Sequence, residues 1–147
     1  MAQWDTILTN FKNFMEVTVG GWTNIPSIDL TTPAGKPITT WDHSYTIMMN
    51  GMPNPLEFIS QEIFIKYNVR LQIAFELNEH NELTDYNSAI GEVEDIIVNR
   101  LNILTYQGTL IDIVHQNTSP FIFINGKADE RFAVMNIDFL VTVARSF

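Results

Sequence analysis

The chain's 147 residues and 46% apolar content fit one globular domain with a core of its own and argue against disorder. It has no cysteine, which excludes disulfides, thiolate metal sites and thiol nucleophiles together. Seventeen acidic residues against eight basic ones leave a net charge of −9, which argues against a surface built to grip nucleic acid.

An acidic surface confers solubility, and it also repels DNA that must pass nearby without sticking. Composition leaves both readings open. The start, Met1-Ala2-Gln3-Trp4-Asp5, lacks the basic and apolar regions of a signal peptide. No run approaches the roughly 20 apolar residues needed to span a bilayer. The expectation is an intracellular protein with no membrane contact.

In chain order, Trp4, Ile7, Leu8, Phe11, Phe14 and Met15 recur at helical spacing. The β-branched Val17-Thr18-Val19 weakens this helix, and Gly20-Gly21 stops it. Asn24 to Leu30 reads as a short strand, with Pro26 placing it at an edge. Residues 31 to 60 form an irregular apolar insertion in a single domain spanning 1–147. It holds prolines and glycines, and also Trp41, Tyr45, Met48, Met49, Met52 and Phe58. Within it, Thr46 to Met49 reads as a short strand. So apolar a segment either folds back over its own core or covers a neighbouring subunit.

Glu62 to Leu77 is the clearest strand, with apolar residues at every odd position and mostly polar residues between. Sixteen such residues span on the order of 50 Å, against a typical strand of about 5–6 residues. The strand therefore either bends around the core or projects at one end. Tyr86, Ala89, Ile90, Val93, Ile96, Ile97, Leu101 and Leu104 predict a second helix capped by Thr84 or Asp85. Gly91 within it suggests close packing against a strand. Strands follow over Leu110 to His115 and Phe121 to Ile124. Asn125-Gly126 signals a hairpin into a last long strand, Glu130 to Arg145. The fold class is α+β: an antiparallel sheet with long strands, packed against one main helix plus an N-terminal helix.

No catalytic, cofactor-binding or metal-ligating motif stands out. His43, His80 and His115 lack partners at metal-ligand spacing, and no nucleophile elbow or phosphate-binding glycine loop occurs. Asp42-His43 is half of a proton relay at most. Glu92, Glu94 and Asp95 read as a solvated helix face. Arg70, Arg131 and Arg145, set among many carboxylates, are candidates for ion pairs between subunits or for plain surface charges. With Trp41, Tyr45, Met48, Met49, Met52 and Phe58 they make up the candidate subunit interface.

The ending Arg131-Phe132-Ala133-Val134-Met135-Asn136-Ile137-Asp138-Phe139-Leu140-Val141-Thr142-Val143 closes this order of elements. It resembles the closing strand of tail-terminator and neck proteins of tailed bacteriophages. The resemblance covers residues 62–147 well and the first 60 poorly. It implies a structural virion protein without catalytic residues or cofactors. Such a protein assembles in the host cytoplasm as a homo-oligomeric ring, a hexamer, that caps the tail tube. Its implied partners are the tail tube protein and a neck or head-completion protein, with DNA passing through unbound. A head-completion, tube or baseplate component is the sibling reading. A small ligand-binding or enzyme-accessory domain, with residues 41 to 58 as a lid, is the reading from another class.

Overall fold

The computed structural model describes residues 3–25, 42–51, 54–59, 62–77, 82–105, 110–120, 122–125 and 131–146. Two strands dominate: β4 (Glu62–Leu77) and β7 (Arg131–Ser146). They pair antiparallel without interruption from Glu62↔Ser146 to Leu77↔Arg131. This ladder is about 50 Å long at the usual rise. Strict alternation makes it possible, because every odd residue of both strands falls on one face. Shorter strands line its two margins. Beside β4 run β3 (Asn54–Ile59) and β2 (Ser44–Met49), and beyond β2 lies the two-residue β1 (Thr23–Asn24), the one parallel neighbour. Beside β7 run β5 (Leu110–Thr118) and β6 (Ile122–Asn125).

The helices cover one face of this sheet. Helix α1 (Gln3–Asn13) buries Ile7 and Phe11 there, and Phe11 meets Phe139 with ring centroids 5.8 Å apart. The β-branched stretch does not end the helix. It widens into a π-helical segment, Phe14–Gly20, closed by Gly21 in the left-handed conformation (φ +82°). Helix α2 (Glu82–Val98) presents Ala89, Val93 and Ile96 to the core, and a 3-10 segment, Arg100–Thr105, adds Ile103. The odd residues of β4 from Tyr67 to Leu77 are all buried, whereas Ile63 and Ile65 are half-buried. Only the 62–66 end of the apolar face therefore runs beyond full cover.

The opposite face is mixed. Phe132 and Val134, even-numbered and so on the face expected to be wet, form a small buried cluster with Ala74, and Ile25 packs against it. Asn10 is fully buried under α1 and donates from Nδ2 to the Ile103 carbonyl at 3.0 Å, tying α1 to the 3-10 segment.

Several boundaries differ from expectation. The short strand expected at 46–49 is present and starts two residues earlier, at Ser44, between β1 and β4, and residues 54–59 of the apolar insertion add another strand on β4, because a ladder this long offers each of them a paired margin. Helix α2 begins at Glu82, so Thr84 and Asp85 lie inside its first turn and are not its cap. The hairpin pairs Asn125 with Arg131, and residues 126–130 between them, with Gly126 of the expected turn, lie outside the described residues. Of the strand expected over Asn24 to Leu30, residues 26–30 lie outside the described residues. Gly91 packs closely against nothing, since a Cβ there would meet no atom within 4 Å. Gly91→Ala is accordingly expected to raise stability by about 0.5–1 kcal/mol, read as a higher urea midpoint with unchanged slope.

Candidate functional site

The candidate interface residues scatter once the chain is folded. Tyr45 is fully buried in the main core, and its hydroxyl donates to Glu16 Oε2 at 2.7 Å. Burial and the adjacent Glu16 carboxylate push its phenol well above the ordinary range. Met48 and Met49 are half-buried on opposite faces of β2. Met49 packs against the core. Phe58 and Arg145 both hold the register position of Ile63, one on each side of β4. Trp41 and Met52 lie outside the described residues. Arg70 already has a partner in its own chain. Its Nε donates to Asp138 Oδ1 at 2.9 Å, and a second guanidinium nitrogen donates to Oδ2 at 3.2 Å. This two-pronged hydrogen bond raises the Arg70 pKa above its ordinary value. Arg131 lies over the Phe123 ring, 4.4 Å from its centroid.

Other exposed apolar side chains lie along the β5–β6 margin, on both faces of the sheet: by register Val114 and Ile122 share the face of Leu140 and Val134, and Phe123 that of Ala133. Ile111 and Val114 of β5 and Ile122 and Phe123 of β6 are exposed by 43–48%. Helix α2 adds Leu83 and Ile90 on the flank that leads to this margin, where Tyr86 meets Phe123 at 6.4 Å. Val98 and Leu101 are also exposed, and between them Arg100 Nε donates to the Ile113 carbonyl of β5 at 3.3 Å. Among the described residues no strand pairs with the outer edge of β5 or β6. Two register shifts, around Ile111 and Gln116, interrupt the β5 ladder. The sequence hid this surface because Ile111, Val114, Ile122 and Phe123 read as ordinary core positions of short strands.

The other flank of α2 carries chemistry. His43 Nδ1 lies 3.0 Å from Asp42 Oδ1, and Nε2 lies 3.0 Å from both carboxylate oxygens of Glu92. The ring packs against Trp22 and Phe75, with centroids at 5.2 and 5.3 Å, and those two rings meet each other at 5.2 Å. Its backbone is left-handed (φ +52°), the only such non-glycine residue among those described. Asp42 Oδ1 also accepts the Glu76 amide at 2.8 Å. An open cavity of about 330 Å³ lies here, lined by Asp42, His43, Phe75, Glu76, Asp85, Ser88 and Glu92.

The Asp42 hydrogen bond lifts the His43 pKa to about 9, against a desolvation cost, and the Asp42 and Glu92 charges add to the rise. Burial works against the Asp42 carboxylate, but the hydrogen bonds and charge of His43 and the Glu76 amide outweigh it and hold the pKa below its usual value. At neutral pH His43 is therefore a cation with both ring nitrogens occupied. That state suits a structural ion pair and leaves no lone pair to act as a general base. The sequence offered Asp42-His43 as half a relay. Glu92, 49 residues on, was the part it could not supply. No group of His, Asp and Glu side chains among the described residues converges as a metal site.

Against protein-family models and against curated proteins, the sequence matches none. Among the described residues no helix is long and apolar enough to cross a membrane.

Proposed function

We propose that the protein is a structural component of a tailed-phage virion, a tail terminator whose copies close into a ring on the end of the tail tube. The reading starts from the resemblance of its closing strand. The observation that carries it furthest is the β5–β6 margin with its exposed apolar side chains and a sheet edge that no strand among the described residues pairs. A ring needs a head-to-tail contact between two unlike surfaces of one subunit. An edge strand flanked by exposed Ile, Val and Phe supplies backbone pairing and apolar area for one half of that contact. In this reading the long ladder is the rigid wall of the subunit, and the net charge of −9 keeps DNA from adhering to the channel. The tube protein and a neck protein are the neighbours above and below the ring, and the site of action is the virion.

Ile111→Lys combined with Val114→Lys tests the contact. Both residues are exposed, so the folded subunit should keep its stability within about 0.5 kcal/mol. Light scattering on the wild-type protein, alone or with tube ends, should give a hexamer that the double variant cannot form. A wild-type chain that remains a monomer under both conditions, or a double variant that assembles as well as wild type, would overturn the reading. Phage lacking the protein distinguish the sibling roles. Tails of uncontrolled length are the result expected here, whereas intact tails beside leaking heads would assign it to the neck.

A further inference from the structure

The Asp42–His43–Glu92 cluster joins three elements at one point. Asp42 and His43 lead into β2, Glu92 projects from the middle of α2, and the Glu76 amide that binds Asp42 belongs to the end of β4. Among the described residues α2 turns few large side chains toward the sheet, with Ile97 packed partly against the core. Its buried side chains, Ala89, Val93 and Ile96, are modest in size, while Leu83 and Val98 are more than 70% exposed. We propose that the cluster is a proton-operated latch: protonated His43 seats α2 against the sheet, and loss of that proton releases this flank of the helix.

The geometry gives the reason. An imidazolium has two N–H donors, one for each carboxylate. A neutral imidazole has one. If it keeps the bond to Asp42, a lone pair on Nε2 faces the Glu92 carboxylate at 3.0 Å. Among the described residues, the titratable groups around the ring are Asp42 from its own turn, Glu76 from β4, and Asp85 and Glu92 from α2. All four are acidic, so the imidazolium is a positive charge set among carboxylates. The left-handed backbone at His43 shows that the chain holds this ring in place at a local conformational cost.

The sign of the pH effect follows. A histidine whose pKa is raised on folding stabilises the folded state fully below the unfolded value of about 6.5. That contribution declines as pH rises through about 9 and is gone above it. The latch is therefore closed at neutral pH and opens in alkali.

The test combines three measurements on the intact protein between pH 6 and 10.5: nitrogen-15 NMR of the His43 ring, hydrogen exchange of the α2 amides, and Trp22 emission. With exchange corrected for its intrinsic pH dependence, α2 should lose about tenfold protection relative to β4 as His43 titrates, with the far-ultraviolet circular dichroism unchanged. Trp22 emission should change over the same interval. His43→Asn, which tolerates the left-handed backbone, should abolish the transition and hold α2 at every pH at the lower protection that the wild type reaches in alkali. Glu92→Gln should lower the His43 midpoint while keeping the Asp42 bond, and it decides the matter if His43→Asn does not fold. Equal α2 protection on both sides of the His43 titration, a transition that persists in His43→Asn, or an unmoved midpoint in Glu92→Gln would overturn the proposal. None of these outcomes depends on whether the protein forms a ring.

Discussion

Phe139→Ala should lower the unfolding free energy by about 3–5 kcal/mol, a large share of the roughly 5–15 kcal/mol that holds such a domain together. Phe139 is fully buried at the middle of β7, paired with Val69 on one side and His115 on the other. Its ring touches Phe11 of α1 and stands edge-on to His115, with centroids 6.0 Å apart. Truncation removes the side chain on which α1 and the ladder meet. The ladder itself, pinned by sixteen consecutive backbone pairs, cannot collapse to fill the gap. Urea denaturation followed by circular dichroism should show the drop in midpoint. Phe139→Leu should retain most of the stability, with a cost under about 1.5 kcal/mol. If alanine cost no more than leucine, the contact between α1 and β7 would not be a centre of the core.

Asp138→Ala should cost about 2 kcal/mol, and it should do so in the single subunit. Arg70 and Asp138 are cross-strand neighbours on the mixed face, and the Asp138 side chain is only 14% exposed. Removing the carboxylate leaves a guanidinium whose two donors point at nothing, which costs more than removing both partners together. A double-mutant cycle with Arg70→Met should therefore show the double variant to be more stable than Asp138→Ala alone. The same cycle separates two roles for Arg70. Were its partner on another subunit, Asp138→Ala would leave the stability of the monomer untouched. A flat result in the monomer would return Arg70 to the interface.

The long elements were legible because each carries many repeats of one period. Glu62 to Leu77 keeps an apolar residue at every odd position, with Phe64 and Ala74 as the exceptions between them, and the strand has those bounds. The N-terminal helix showed itself through Ile7, Phe11 and Phe14. What the sequence could not show depends on partners distant along the chain. Phe132 and Val134 fall out of phase with the apolar face of β7, and their burial makes sense only beside Ala74 and Ile25. Tyr45 sits in a stretch rich in methionine and proline that read either as cover for its own core or as a subunit interface. Its core position follows from pairing with Ile73, which no local pattern announces. The same holds for the site: Asp42-His43 was visible, but its meaning came from a glutamate on α2. Gly91 misled in the opposite direction, since a glycine can also stand in a helix with open space beside it.

The β4–β7 ladder also has a mechanical meaning. Its hydrogen bonds run perpendicular to the strands, so a force along the strands meets them differently according to where it is applied. Tension between Glu62 and Ser146, which face each other at one end, opens the pairs one after another like a zip. Tension between Glu62 and Arg131, at opposite ends, shears every pair of the ladder at once. A subunit gripped by its neighbours at opposite ends of this ladder resists deformation with all of its pairs together, and one gripped at a single end gives way pair by pair.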